Sequence, residues 1–218
     1  MNSNRRLVSL GFTDERVQEG LHFCYIYNDN DERLRVVAKF LQSGLKDQEK
    51  VMFLVDTMSP PEALDRLASL GADLRSHPHF SVKEANPVYC PSGKFKIDAM
   101  LDALRLFYCD AIAEGRSGAR ATGEMSWSGR GGLEDQDDLM EYEARLNDMV
   151  AQYPMIACCQ YDATRFDGEA ILNVLAVHPY MIVRGQLMSN PYYIQPSVFL
   201  KQLYERKRVG HGRQRDVA

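Results

Sequence analysis

The run Val51-Met52-Phe53-Leu54-Val55, closed by Asp56, is the strongest single constraint on the fold. It is too short for a buried helix, and its unbroken apolar character leaves no polar face on an extended segment. A strand covered on both sides meets both conditions, and such strands belong to parallel sheets lying between layers of helix. HFCYIY at 22–27, GARATGEMSW at 118–127 and MIACCQY at 155–161 supply further strands. Between them the apolar spacing becomes helical. Leu34, Val37, Ala38 and Leu41 share one face over about 31–42, and Ile97, Met100, Leu101, Leu104, Tyr108, Ala111 and Ile112 do so over 96–114. Leu139, Tyr142, Leu146 and Met149 form a third stripe over about 134–152. The alternation predicts a three-layer α/β/α fold with a mostly parallel central sheet.

Local signals divide the chain further. Asp31 is expected to cap the first helix and Gly44 to stop it. Ser59 and the prolines after it start a second helix that ends at Gly71. Residues 80–82 read as a short strand, and NPVYCPSGKF at 86–95 reads as a loop through its prolines and glycine. Gly115 closes the helix over 96–114, and SGRGG at 128–132 is expected to be the most flexible loop. Glu134, Asp135, Asp137 and Asp138 suit the positive end of the helix that follows. A helix over 168–177 and the segment YMIVRGQLM complete the pattern.

A chain of 218 residues, 45% hydrophobic, can bury one sizeable core. Lys and Arg number 26 against 30 Asp and Glu, a net charge of -4, which argues against a nucleic-acid-binding face. The basic residues Arg206, Lys207, Arg208, Arg213 and Arg215 are confined to the C-terminal tail and read as a solvated end. The 5 cysteines contain no C-x-x-C pair and mostly sit in apolar runs, as expected of reduced thiols in a cytoplasmic protein. The N-terminus lacks a signal-peptide core, and no apolar stretch approaches a membrane span.

Open parallel sheets bind ligands beyond the carboxyl ends of their strands. That rule collects Tyr27, Asn28 and Asp29, then Asp56 and Thr57, then Glu124, Ser126 and Trp127, and finally Gln160, Tyr161 and Asp162. A phosphate loop needs glycines and a lysine, whereas NDNDER at 28–33 has neither and places three carboxylates before Arg33. Ordinary P-loop hydrolysis is therefore rejected. His22 and Cys24, two apart on a strand, point to one face, and His178 joins them only if the fold allows it. Such pairs are usually core residues, Cys158 and Cys159 face opposite ways, and no metal ligation is expected. No nucleophile elbow is present. Glu124 could serve as a general base, but pairing with Arg120 or Arg130, or accepting backbone N–H groups, is favoured. His178-Pro179 and Asn190-Pro191 either end elements or line a pocket, and spacing leaves both open.

The ordered set His22 with CYIY, FLQSGLKDQEKVMFLV, GKFKIDAML, GARATGEMSW, YEARLN, CQYD, HPY and NPYY resembles the MEDS domain, a sensory domain of methanogens, methylotrophs and the dichloromethane regulator, over about 22–193. The resemblance implies a sensory domain at 22–195, an N-terminal extension at 1–21, and a C-terminal helix and basic tail at 196–218. It also implies a role in prokaryotic signal transduction or transcriptional regulation, with a small hydrocarbon derivative proposed as ligand, in a domain often fused to a helix-turn-helix or a histidine kinase. FLQSGLKDQEKVMFLVD with LASLGADL is similar to KaiC and RecA-type ATPases, which implies a degenerate relative of that nucleotide-binding fold.

Matching the family motifs residue by residue marks His22, Tyr27, Glu124, Trp127, Tyr142, Glu143, Arg145, Asn147, Gln160, Tyr161, Asp162, His178, Asn190 and Tyr193. Tyr142 and Asn147 suit packing and capping, and Glu143 and Arg145 should find different partners. Ligand contact is expected first from Tyr27, Glu124, Trp127 and Tyr161, with Tyr27 opposite Glu124 and Trp127, then from His22, Gln160, Asp162 and His178. No catalytic residue, metal or cofactor is expected. Output would pass through a partner such as a histidine kinase or transcription regulator, without direct nucleic-acid or membrane contact, and a homodimer is an open alternative. The competing readings are a degenerate KaiC/RecA-like nucleotide binder or ATPase and a structural protein-interaction module.

Overall fold

A computed structural model describes residues 5–130, 133 and 136–215. In chain order, β1 (Leu7–Ser9) and β2 (Arg16–Gln18) form an antiparallel pair. They are followed by β3 (His22–Tyr27), α1 (Asn30–Lys46), β4 (Lys50–Val55), α2 (Pro60–Ser69), β5 (Phe80–Glu84), α3 (Ala85–Tyr89), α4 (Ile97–Ala113) and β6 (Ala119–Glu124). A 3-10 turn (Ser126–Arg130) leads to α5 (Gln136–Gln152), β7 (Ile156–Asp162), α6 (Gly168–Val177), β8 (Tyr180–Val183), β9 (Gln186–Ser189) and α7 (Pro196–Arg215).

Strands β3 to β9 form one sheet in the order β5-β4-β6-β7-β3-β8-β9, parallel except for the β8–β9 hairpin at one edge. Helices cover both faces, so the architecture is the predicted three-layer α/β fold. One face packs Phe23, Phe53 and Cys158 against α1 and α2 through Val37, Phe40, Leu41 and Leu67. The other packs Cys24, Leu54 and Cys159 against the remaining helices through Tyr89, Leu104, Tyr142, Leu146, Val174 and Leu203. Cys158 and Cys159 thus enter opposite cores, as the two-residue period of a strand requires.

Four local expectations need correction. Asp29, not Asp31, caps α1: its side chain accepts the N–H groups of Asp31 and Glu32 at 2.8 and 2.9 Å, because the helix begins at Asn30, one residue earlier than expected. Gly44 does not stop α1, which continues to Lys46. The Arg120 side chain lies against Gly44, where any Cβ would collide, so this glycine serves close approach. Residues 85–89 form α3 rather than loop, since Pro87 falls in the first turn, where no N–H is needed. YMIVRGQLM divides into β8 and β9 about Arg184 and Gly185, at φ 49° and 72°, the left-handed pair that a tight hairpin demands. Gly71 and Gly115, at φ 80° and 72°, do end α2 and α4. Gly131, Gly132, Glu134 and Asp135 lie outside the described residues.

Candidate functional site

At the carboxyl ends of the central strands, the α1 face holds a closed polar network. Arg33, buried in the first turn of α1, donates from Nη1 to Glu124 Oε1 and to Gln160 Oε1, each at 2.7 Å. Its Nε reaches Asn30 Oδ1 at 2.9 Å, and its guanidinium lies 5.0 Å from the centroid of the Tyr27 ring. The second Glu124 oxygen accepts the N–H groups of Asp56 and Thr57 at 3.1 and 2.7 Å and the Thr57 hydroxyl at 2.7 Å. Gln160 Nε2 donates to Thr122 Oγ1 at 2.7 Å, which ties β7 to β6.

Glu124 therefore pairs with Arg33, and neither expected arginine is its partner. Arg120 binds Glu49 together with the carbonyls of Phe40 and Ser9, and Arg130 binds Asp56. A buried carboxylate with this many donors is a fastening between strand ends, because leaving either charge alone there would be strongly destabilising. The backbone donors that open α1, the groups a phosphate would use, are taken by the Asp29 carboxylate. Burial pushes the Tyr27 hydroxyl up to about 12, which keeps it protonated at neutral pH.

One residue earlier on β7 the chain faces the other core, and a different cluster forms. His22 Nε2, Glu143 Oε2, Cys159 Sγ and His178 Nε2 all lie within 4.8 Å of one another, and all four residues are buried. Glu143 Oε2 is 3.1 Å from His22 Nε2, 3.3 Å from Cys159 Sγ and 3.5 Å from His178 Nε2, and Cys159 Sγ is 3.5 Å from His22 Nε2. Tyr161 donates its hydroxyl to Glu143 Oε1 at 2.6 Å.

The outer partners orient the two imidazoles. Asn147 Nδ2 donates to the carbonyls of Glu143, Ala144 and Val177, so its Oδ1 must be the atom 3.1 Å from His22 Nδ1. His178 Nδ1 lies 2.7 Å from the Val174 carbonyl. An oxygen acceptor at each Nδ1 requires the proton there, which turns both Nε2 atoms inward. Burial raises the Glu143 carboxyl, but the neighbouring His178 and His22 imidazoles outweigh it and hold the group well below its ordinary value. Burial, reinforced by His178, lowers the His22 imidazole against the pull of Glu143.

Above this cluster, between the 3-10 turn, the first turns of α5 and α6 and the β7–α6 connection, lies a cleft of ≈ 660 Å³. Met140, Phe166 and Val174 give it apolar surface, while Ser126, Arg130 and Asn173 give it polar groups. The Ser126 hydroxyl is buried without a hydrogen-bond partner among the described residues. Cleft and cluster share a wall: Phe166 packs edge-on to Tyr161 at 5.1 Å, and the Val174 carbonyl receives His178 Nδ1.

The expected site residues thus separate into groups. Tyr27, Glu124 and Gln160 meet through Arg33, whereas His22, Tyr161 and His178 meet through Glu143. Trp127 joins neither; it is fully buried, stacked on Tyr89 at 4.5 Å and 18°, with Phe95 at 5.1 Å. It does not share an open wall with Tyr27. Asp162 accepts the Thr164 N–H and hydroxyl at 2.9 and 2.6 Å and pairs with Arg165 at 3.3 Å. Tyr142 packs edge-on to Phe95 at 5.5 Å, Arg145 reaches Asp98 at 2.5 Å, and Asn190 closes the end of α6 by donating to the Leu175 and His178 carbonyls.

Sequence reasoning missed Arg33 and set Cys159 aside as a ligand. Arg33 sits four residues before Val37 on the buried stripe of α1, and Cys159 shares strand parity with Tyr161. Both signals were present in the spacing.

The fold is shared with KaiC-like proteins. A KaiC-like protein from Pyrococcus horikoshii OT3 superposes with a TM-score of 0.56 at 13% identity, covering 82% of this chain and 80% of that one. The flagellar accessory protein FlaH of Methanocaldococcus jannaschii gives 0.55 at 12% identity, covering 78% and 75%. Within that fold class, residues 21–179 match the MEDS family, the methanogen/methylotroph, DcmR sensory domain, and the chain belongs to it. It is 28% identical over 158 residues to the transcriptional repressor DcmR of Methylorubrum extorquens strain DM4. The match covers 72% of this chain and 57% of that repressor, so the chain spans little more than half of its relative. A sensory, regulatory role follows from the family. Among the described residues no helix is long and apolar enough to cross a membrane.

Proposed function

We propose that the chain is a non-catalytic small-molecule sensor whose ligand, a small hydrocarbon derivative, enters the cleft between the Ser126–Arg130 turn and the first turns of α5 and α6. The observation that carries this reading is the cleft itself: ≈ 660 Å³, beyond the carboxyl ends of β6 and β7, lined by Leu139, Met140, Phe166 and Val174 together with polar and charged groups such as Ser126, Arg130, Arg165 and Glu169. Its volume falls in the range of small-molecule pockets, and its position is where parallel sheets receive ligands. Met140, Phe166 and Val174 suit a short apolar body, and Ser126 or Asn173 suits a single polar substituent. Binding would shift α6 and the 3-10 turn between two arrangements, read by a partner such as a transcription regulator or histidine kinase. The ligand acts only through its differential affinity for those two arrangements.

Thermal-shift measurements with short alcohols, halomethanes and small organic acids test the proposal, with Ala170→Trp as a variant that fills the cleft. Stabilisation of the wild type by one of these compounds, lost in Ala170→Trp, supports it. Absence of any shift in a well-folded sample counts against it. Binding of ATP with magnesium, followed by hydrolysis that disappears in Glu124→Gln, would overturn it in favour of a nucleotide enzyme. The capped α1 terminus and the occupied Glu124 carboxylate argue against that outcome.

A further inference from the structure

We propose that His22, Glu143, Cys159 and His178 form a closed tetrahedral site for a divalent cation of the zinc class. The donor set of two imidazoles, one thiolate and one carboxylate is among those that bind zinc, and four protein ligands with no open position define a structural rather than a catalytic site. This goes beyond the sensing cleft, which these residues do not line.

The donor separations are compatible with a cation site. Zinc bonds of about 2.0 Å to nitrogen or oxygen and about 2.3 Å to sulfur place tetrahedral donors roughly 3.3 Å apart, or about 3.6 Å where sulfur is involved. Four of the six separations are 3.1, 3.3, 3.5 and 3.5 Å, and all four donors lie within 4.8 Å of one another. A charge-assisted N–H···O bond would draw the two imidazole nitrogens to about 2.7–2.9 Å from Glu143 Oε2, whereas they stand at 3.1 and 3.5 Å. Elsewhere the chain makes short bonds, at 2.7 Å for Arg33 to Glu124 and 2.6 Å for Tyr161 to Glu143.

Orientation makes the same point independently. With the protons held at both Nδ1 atoms, the inward groups are two imidazole lone pairs, a carboxylate oxygen and a sulfur. They are rich in acceptors, and the thiol is their one proton donor. His178 Nε2 is fully buried, aimed into this group and without a hydrogen-bond partner. The arrangement of imidazoles whose outer nitrogens are held by a carbonyl or an amide is the usual outer shell of metal-bound histidine. Charge closes as well, because a thiolate and a carboxylate neutralise a divalent ion in a core that could not hold a net charge cheaply. The bound ion would join β3, α5, β7 and the end of α6, and through Tyr161 and Val174 it would set the back wall of the cleft.

The test uses the full chain, purified without a polyhistidine tag, with bound metal determined by elemental analysis before and after chelation and after addition of Zn²⁺ or Co²⁺ alone. The expected result is stoichiometric metal, a fall in Tm on chelation that Zn²⁺ reverses, and a cobalt form with intense tetrahedral visible bands and a thiolate-to-cobalt band in the near ultraviolet. The thiolate band should vanish in Cys159→Ser and persist in Cys158→Ser, whose side chain faces the opposite core. If Cys159→Ser does not fold, His178→Gln decides instead, keeping the thiolate band while losing tetrahedral intensity. A folded wild type that takes up neither metal overturns the proposal, as does a cobalt spectrum indifferent to both Cys159→Ser and His178→Gln.

Discussion

Cys159 and Gln160 are neighbours on β7, yet they end in two buried polar clusters of opposite character on the two faces of one sheet. On the α1 face the Arg33 and Glu124 charges answer one another at 2.7 Å, with Arg33 Nη2 left without a hydrogen-bond partner among the described residues, and the helix terminus is capped by Asp29. On the α5 face, acceptors converge at 3.1–3.5 Å with no lysine or arginine among them. The first cluster fills, with an internal ion pair, the strand-end position at which parallel sheets receive ligands. The second adjoins the cleft and is where the proposed cation would sit.

Substitutions can break this contrast. Glu124→Ala leaves the Arg33 charge buried and alone and should destabilise by about 3–5 kcal/mol in denaturant titration. The double variant Arg33→Met with Glu124→Leu removes both charges, and most of that loss should be recovered if the α1 cluster is only a fastening. Trp127→Ala opens a cavity beside Tyr89 and Phe95 and should also lose about 3–5 kcal/mol, without altering the response to metal. Chelation should lower Tm in Cys158→Ser as in the wild type and leave Cys159→Ser unmoved; a saturating metal at about 100 times its dissociation constant is worth about 2.7 kcal/mol. Asp29→Ala, which exposes two N–H groups of α1 to water, should give the smallest loss of all and no change in metal content.

Much of the layout was legible because burial imposes it locally. VMFLV cannot be anything but a strand covered on both sides, and the stripes Leu34–Leu41 and Leu139–Met149 admit one helical face each. The clusters were harder to read, since they depend on which strands become neighbours. His22 was rightly seen as able to meet His178, but its sulfur partner is Cys159, across the β3–β7 pairing, while Cys24 turns to the Tyr180 carbonyl at 3.8 Å. Arg33 stands on the apolar stripe of α1, but its partners on β6 and β7 are not given by that spacing. Gly44 looked like a helix end because nothing nearby in sequence announces Arg120. Such long-range encounters leave no periodic trace.

The most direct measurement is anomalous diffraction at the zinc edge from crystals of the zinc-loaded chain. The predicted result is a single strong peak enclosed by His22 Nε2, Glu143 Oε2, Cys159 Sγ and His178 Nε2, with no density of that kind beside Arg33 and Glu124. An ordered cluster without that peak, or a peak on the α1 face instead, would contradict the division of roles between the two faces.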